Sequence, residues 1–254
     1  MIYREYPPHP ALRAHVACLW TARVTAPMAA AAAHVHRVLP DNCVDILWQD
    51  DGRQAYAVGM MSASFTVPAA RPVRTVAVRF KPGAAGLFLG MPLHPLTDTR
   101  AGLADLWGRS PAGRLDDALW TDDLSDAQRL RLIETTLLGR LAAMEAASDA
   151  ARAAPLGMRA VAAIEAANGA VSVDALADTL GVSRQHLTLQ FRQQVGIAPK
   201  LFARICRFRR ALALLRDARR AGDLAALAAE CGYFDQSHLI RDFRDFAERT
   251  PGAF

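Results

Sequence analysis

The sequence predicts an α+β protein: an N-terminal small β-sandwich or barrel-like domain with helices, followed by a C-terminal all-α domain of two helix-turn-helix units joined by a linker helix. Three observations carry this. Short β-prone runs broken by Pro and Gly fill the first 110 or so residues. Apolar residues take a helical spacing from about Leu115 onward. A segment of about 30 residues near residue 180 returns, altered, at the end of the chain. With 254 residues, 52% of them hydrophobic and 22% charged, the chain can bury one large core or two ordinary ones.

In the first part, "VDILW", "AYAVGMM", "SFTV" and "TVAVRF" read as strands, and "LPDN", "DDGR" and "KPGA" as the turns between them. Further on, "LSDAQRLRLIETTLLGRLAAMEA" places Leu130, Ile133, Leu137, Leu138 and Leu141 on one helical stripe, which is expected to pack on the β-domain in preference to a second subunit. The Ala-rich "AASDAARAAPLG" marks the junction, with Pro155 as the break. The expected division is therefore 1–110 for a β-rich sensor-like domain, 111–154 for a helical segment and junction, and 155–254 for the all-α domain.

Set in register, Ser172, Leu176, Ala177 and Gly181 fall 51 residues before Asp223, Leu227, Ala228 and Gly232. Beyond the glycine the offset is 52, pairing Leu187 with Leu239, Phe191 with Phe243, Arg192 with Arg244, Pro199 with Pro251 and Phe202 with Phe254. One residue has therefore been inserted in the second turn. Each copy builds a helix-turn-helix from elementary rules. Ser172 or Asp223 caps a first helix, and small Ala177 or Ala228 admits a close crossing. Gly181 or Gly232 takes the positive φ that ends that helix, and Ser183 or Asp235 caps the next. Leu187 with Phe191, and Leu239 with Phe243, anchor one face of the second helix by their i, i+4 spacing. Arg184, Gln185 and Thr188 in the first copy, and Gln236, Ser237, His238 and Arg241 in the second, are left on the opposite face. Such side chains bond to base edges and phosphates. Between the copies, Leu201, Ile205, Phe208, Leu212 and Leu215 draw a stripe along "KLFARICRFRRALALLRDARR". A helix of about 20 residues, about 30 Å long, approaches the roughly 34 Å turn of B-DNA and would set two reading helices in successive major grooves.

Charge points the same way. Residues 1–154 hold 16 Lys/Arg against 15 Asp/Glu, residues 155–254 hold 14 against 10, and from Ser183 to Arg220 there are ten basic residues and one acid. A clustered basic face is the footprint of a polyanion partner. Arg192, Arg204 and Arg207 are thus expected at DNA phosphates, and the first unit with its strut is expected to supply most of the phosphate attraction, because Ala221 to Phe254 hold six acids against three bases.

Two helix-turn-helix units joined by a helix and ending in "GYFDQSHLIRDFRDF" and "TPGAF" resemble the DNA-binding domain of the AraC/XylS family of bacterial transcription regulators, over roughly residues 157 to 254. The resemblance implies that the second helix of each unit lies in a major groove. The reading positions it carries over are Arg184, Gln185, Thr188 and Leu189, then Gln236, Ser237, His238 and Arg241. Leu189 and Gln190 stand where relatives often have an arginine, so the first unit is expected to read a thymine methyl by apolar contact. Glu248 stands where the first copy has Gly196, so the end of the last helix is expected to be strained or reshaped. "HRVLPDNCVDILW" and "VRFKPGAAGLFLGMPLHPLTD" resemble the N-terminal domain of unknown function that accompanies a subset of these regulators. The implied partners are double-stranded DNA, a small-molecule effector or a second copy of the chain met through the N-terminal domain, and RNA polymerase where the regulator is an activator.

Catalytic readings are thinner. Some proteins with this DNA-binding domain repair alkylated phosphotriesters through a zinc-bound cysteine cluster, but only Cys18 and Cys43 precede the junction, and Cys206 and Cys231 follow without a C-x-x-C pair. On a strand, His34 and His36 would share one face and, with His9, His15 or Cys43, would be a weak candidate for a metal site. Hydrogen-bonded turn histidines are the commoner outcome, so no metal and no cofactor are expected. "KPGAAG" lacks the lysine spacing of a phosphate loop. Asp41 and Asn42 read as turn formers, and Asp45 as a buried carboxylate paired with Arg79 in preference to a ligand contact. No apolar stretch approaches the roughly 20 residues of a membrane span, and "MIYREYPPHP" does not read as a signal peptide. A cytoplasmic regulator without enzymatic activity is the expectation.

Overall fold

The computed structural model describes residues 1–25, 36–67, 72–121, 123–147, 154–216 and 223–254. Its N-terminal part is an antiparallel six-stranded sheet in the order β1 (Ile2–Tyr6), β2 (Val16–Val24), β7 (Val73–Phe80), β4 (Val44–Gln49), β5 (Tyr56–Val58), β8 (Arg100–Gly102). β3 (His36–Val38) and β6 (Phe65–Val67) pair separately as a second small sheet. The period-2 alternation of β4 puts Val44, Ile46 and Trp48 on the core face, where Val76, Val78 and Phe80 of β7 join them. On the other face Cys18, Trp20, Ala22 and Ala77 form a second, smaller apolar cluster. The four strand-like runs read in the sequence are β4 to β7. β2 escapes such a reading because most of its nine residues are buried, so its sequence does not alternate.

Among the described residues, four α-helices follow or interrupt the sheet: α1 (Ala85–Leu89), α2 (Leu103–Trp107), α3 (Arg109–Leu119) and α4 (Asp126–Ala147). α4 lays Leu130, Ile133 and Leu137 on the core, with Leu138 and Leu141 partly buried beside them. Its stripe therefore packs on the β-domain. Arg23 of β2 holds Asp126 at 2.9 Å, and the His9 backbone N–H donates to Glu134 Oε1 at 2.6 Å. No helix among the described residues is long and apolar enough to cross a membrane.

The C-terminal part contains α5 (Leu156–Ala166), α6 (Val173–Leu180), α7 (Arg184–Val195), α8 (Pro199–Leu215), α9 (Leu224–Glu230) and α10 (Gln236–Ala247). α6–α7 and α9–α10 are the two expected units, and α8 is the strut. With 17 residues, α8 is about 25 Å long, somewhat shorter than the sequence suggested. Pro155 is the N-cap of α5, while the junction residues before it, 148–153, lie outside the described residues.

The halves share one apolar core that runs from the sheet into the helical domain. "KPGAAG" finds its purpose there. Gly83, at φ 79°, leaves room for Met158 of α5, since a Cβ on it would stand 2.5 Å from the Met158 sulfur. Arg79 grips Asp45 through two bonds of 3.1 Å and reaches Asp41 at 3.5 Å, the expected structural pair. Burial pushes the Asp45 carboxyl above its usual range, and the arginine opposes that push. His9 accepts the Ala11 backbone N–H as a turn cap, and the His15 ring stacks edge-on against Phe88. His34 lies outside the described residues.

Candidate nucleic-acid interface

Each unit is assembled by the local signals in its sequence. Ser172 Oγ accepts the Ala175 N–H, and Asp223 accepts those of Ala225 and Ala226, starting α6 and α9. Gly181 and Gly232 take φ of 68° and 73°. The following residues, Val182 and Tyr233, return their N–H groups to Ala177 and Ala228 at 3.1 and 2.9 Å, closing each turn identically. Ser183 then caps α7 through the His186 N–H, and Asp235 caps α10 through the His238 N–H. Leu187 and Phe191 in one helix, Leu239 and Phe243 in the other, are fully buried. That anchoring decides which faces look outward.

On α7, Arg184, Gln185, Leu189 and Arg192 are exposed and Thr188 is half-buried. Arg184 is steadied by Asp174 of α6 at 3.2 Å. On α10, Gln236, Ser237, His238 and Arg241 are all exposed. His238 Nδ1 stands 2.8 Å from Asp235 Oδ1, so the cap also fixes the imidazole. Hydrogen bonds from the His238 backbone and ring hold the Asp235 carboxyl below its usual range, keeping the cap ionised. His186 is exposed as well and is the 52-residue counterpart of His238, a position that sequence reasoning passed over although the repeat register contains it.

The strut differs from expectation. Arg204 and Arg207 are not on the open face. Arg204 donates to Asp242 at 2.7 and 3.0 Å and to Asp245 at 2.5 Å, with its guanidinium 4.9 Å from the Phe246 ring centre. Burial alone would lower its pKa, and the two carboxylates outweigh that and raise it. Arg207 donates to the Gly169 carbonyl at 2.6 Å and lies over the Tyr233 ring. Both arginines tie α8 to neighbouring helices, because the buried side of α8 faces carboxylate, carbonyl and aromatic acceptors. Arg209 and Arg210 line a cleft of about 480 Å³ with Asp41 and Asn42 of the β-domain and Glu165, Asn168 and Cys206. Arg192 on α7 and Arg244 on α10 are exposed cations, as are Lys200 and Arg249 beyond the ends of these helices.

The β-domain takes hold of both units at matching places. Leu93 N–H donates to Gln193 O at 2.8 Å, and Thr97 Oγ1 to Gly196 O at 2.7 Å, at the end of α7. Arg37 donates to Ala247 O at 3.1 Å and pairs with Glu248 at 2.8 Å, while Ser64 Oγ donates to Glu248 at 3.2 Å, at the end of α10. Gly196 and Glu248 are repeat counterparts. Glu248 adopts the left-handed φ of 54° that closes α10, the reshaped end that its replacement of glycine suggested. Asn42 adds bonds to Phe202 O and Cys206 Sγ on α8.

Residues 4–102 match a family described as a domain of unknown function, DUF6597, and residues 176–254 match one described as a helix-turn-helix domain. Among curated proteins, none matches the sequence. Among solved structures, the C-terminal domain of the response regulator AraT from Geobacillus stearothermophilus is 22% identical over 41% of this chain and 85% of its own, with a TM-score of 0.37. A transcriptional regulator with an AraC-type DNA-binding domain from Chromobacterium violaceum is 28% identical over 39% of this chain and 87% of its own, with a TM-score of 0.35. ToxT from Vibrio cholerae is 11% identical over 92% of this chain and 94% of its own, with a TM-score of 0.43.

Proposed function

We infer that the chain, whose residues 176–254 match a helix-turn-helix domain family and whose residues 4–102 match DUF6597, is a DNA-binding transcription regulator that reads two adjacent major-groove segments with one protomer. The observation that supports this most is the pair of equivalent helices, α7 and α10, whose apolar faces are buried and whose opposite faces expose hydrogen-bonding side chains in the same local frame. Gln185 and Thr188 are the readers of one segment, with Leu189 as an apolar contact. Gln236, Ser237, His238 and Arg241 serve the other. Arg184, Arg192 and Lys200 meet phosphates, whereas Arg204 and Arg207 belong to the fold. The basic run that suggested a polyanion is thus partly structural.

Regulation is proposed to enter through the N-terminal domain, either by a small-molecule effector or by association of two chains. Its contacts end on the last carbonyls of α7 and on Ala247 and Glu248, so a shift in the β-domain is felt at both reading helices. The alternative, alkyl transfer to a cysteine, finds little support. Burial pushes the Cys18 thiol up to about 11 and raises Cys43 well above its usual value, which favours inert thiols over the thiolates that zinc binding and nucleophilic attack require. Selection from randomised DNA tests the main reading. Enriched sites should carry two short, non-identical boxes about one helical turn apart. Enrichment of a single box, or of none, would contradict it.

A further inference from the structure

The two turns are superimposable signals with one exception. After Gly181 and Val182 the first unit goes directly to its cap, Ser183, whereas after Gly232 and Tyr233 the second interposes Phe234 before its cap, Asp235. Phe234 is therefore the inserted residue that moves the repeat offset from 51 to 52. It is not recruited into the core. Its relative exposure is 91%, against 8% for Tyr233 beside it, and it exceeds every other exposed large hydrophobic among the described residues. Among the described residues its ring meets one other ring, the His238 imidazole, edge-on at 5.9 Å between centres.

An insertion that leaves the cap, the glycine and the core anchors of α10 in place adds nothing to the unit's own packing. It sets a phenyl ring at the mouth of the helix, continuous with Gln236, Ser237, His238 and Arg241. Two partner classes compete for such a ring. A protein partner calls for a contiguous apolar patch ringed by polar groups. Here the immediate neighbours Asp235, Gln236, Ser237 and His238 are all exposed polar residues, so the ring stands alone. A major groove offers isolated apolar targets of matching size, the C5-methyl groups of thymines, set among hydrogen-bonding edges. The surroundings of Phe234 fit the groove.

We propose that Phe234 is a specificity-determining residue of the second unit, seating its ring on a thymine methyl at the edge of the box read by α10. His238 holds the ring in place. This rests on the reading that α10 enters a major groove, and the experiment separates the two claims. Each thymine of a selected site is replaced in turn by deoxyuridine, which removes only the methyl group. Binding is then compared for the full-length wild type, Phe234→Ala and Phe234→Leu. For the wild type, one substitution in the second box should weaken binding about fourfold, the factor that corresponds to roughly 0.8 kcal/mol for one buried methyl. Phe234→Ala should bind the thymine and uracil sites equally, and Phe234→Leu should keep part of the preference. Thermal unfolding of both variants should match the wild type, because the ring is exposed. If Phe234→Ala keeps full methyl discrimination at every position of the second box, the inference is overturned while groove reading stands. If Phe234→Ala changes no DNA affinity but abolishes transcription in vitro with RNA polymerase, the ring serves a protein partner and the inference is equally overturned. Absence of any sequence preference in the wild type would remove the groove reading and this inference with it.

Discussion

Arg192 and Arg204 are both arginines of the same basic run, and the structure places them differently: Arg192 is exposed on α7, whereas Arg204 is turned onto carboxylates. Arg204 is held by Asp242, which is 7% exposed at its side chain, so Arg204→Ala leaves a buried carboxylate without its partner. A loss of about 3 kcal/mol of stability is expected, read by thermal or urea unfolding. The salt dependence of DNA binding should be unchanged. Arg192→Ala should do the reverse, lowering the slope of log affinity against log salt by about 0.9 with no loss of stability. A flattened slope for Arg204→Ala would return that residue to the phosphates. Sequence reasoning placed the two together because the partners of Arg204 lie 38 and 41 residues away, and a charge run carries no information about long-range carboxylates. Which faces of α7 and α10 are exposed was easier to read, since each is set by a local i, i+4 anchor.

The duplicated units were legible because every device in them is local: a cap oxygen, a glycine at the helix end, a leucine and a phenylalanine four residues apart. The turns nonetheless differ in their surroundings. A Cβ on Gly181 would meet nothing within 4 Å, so Gly181→Ala incurs only the left-handed penalty, about 1 kcal/mol. A Cβ on Gly232 would stand 2.6 Å from the Ala170 Cβ, so Gly232→Ala should cost distinctly more than Gly181→Ala in paired unfolding experiments. Equal losses would mean that the second turn is looser than described. β1, β2, β3 and β8 were not legible. β2 is buried along most of its length, and β3 (HRV) and β8 (RAG) carry basic residues and a glycine in place of the β-prone runs that marked the equally short β5 and β6. Their existence depends on neighbours far along the chain.

The contacts of the β-domain with α7 and α10, through which we propose that regulation passes, belong to the whole molecule, and nothing in one segment announces Arg37, Ser64 or Thr97 as their agents. They carry a pH signature. Bonds from Arg37 and Ser64 hold the Glu248 carboxyl below its ordinary value of 4.5, so the contact contributes at and above that pH and is lost as the pH falls through the depressed value. The protection of amides at the end of α10 against hydrogen exchange, taken relative to the intrinsic rate at each pH, should therefore fall in acid in the wild type, and Glu248→Gln should show that low protection already at neutral pH. Unchanged protection in the variant would remove Glu248 from these contacts. The central claim, that one chain reads two boxes through α7 and α10, is tested most directly by randomised-site selection with wild type, Gln185→Ala, Thr188→Ala, Ser237→Ala and Arg241→Ala. The first two variants should lose preference, by about 1 to 3 kcal/mol, within one box only, and the last two within the other, about one helical turn away. A uniform loss of affinity across all sequences in the four variants would contradict the account.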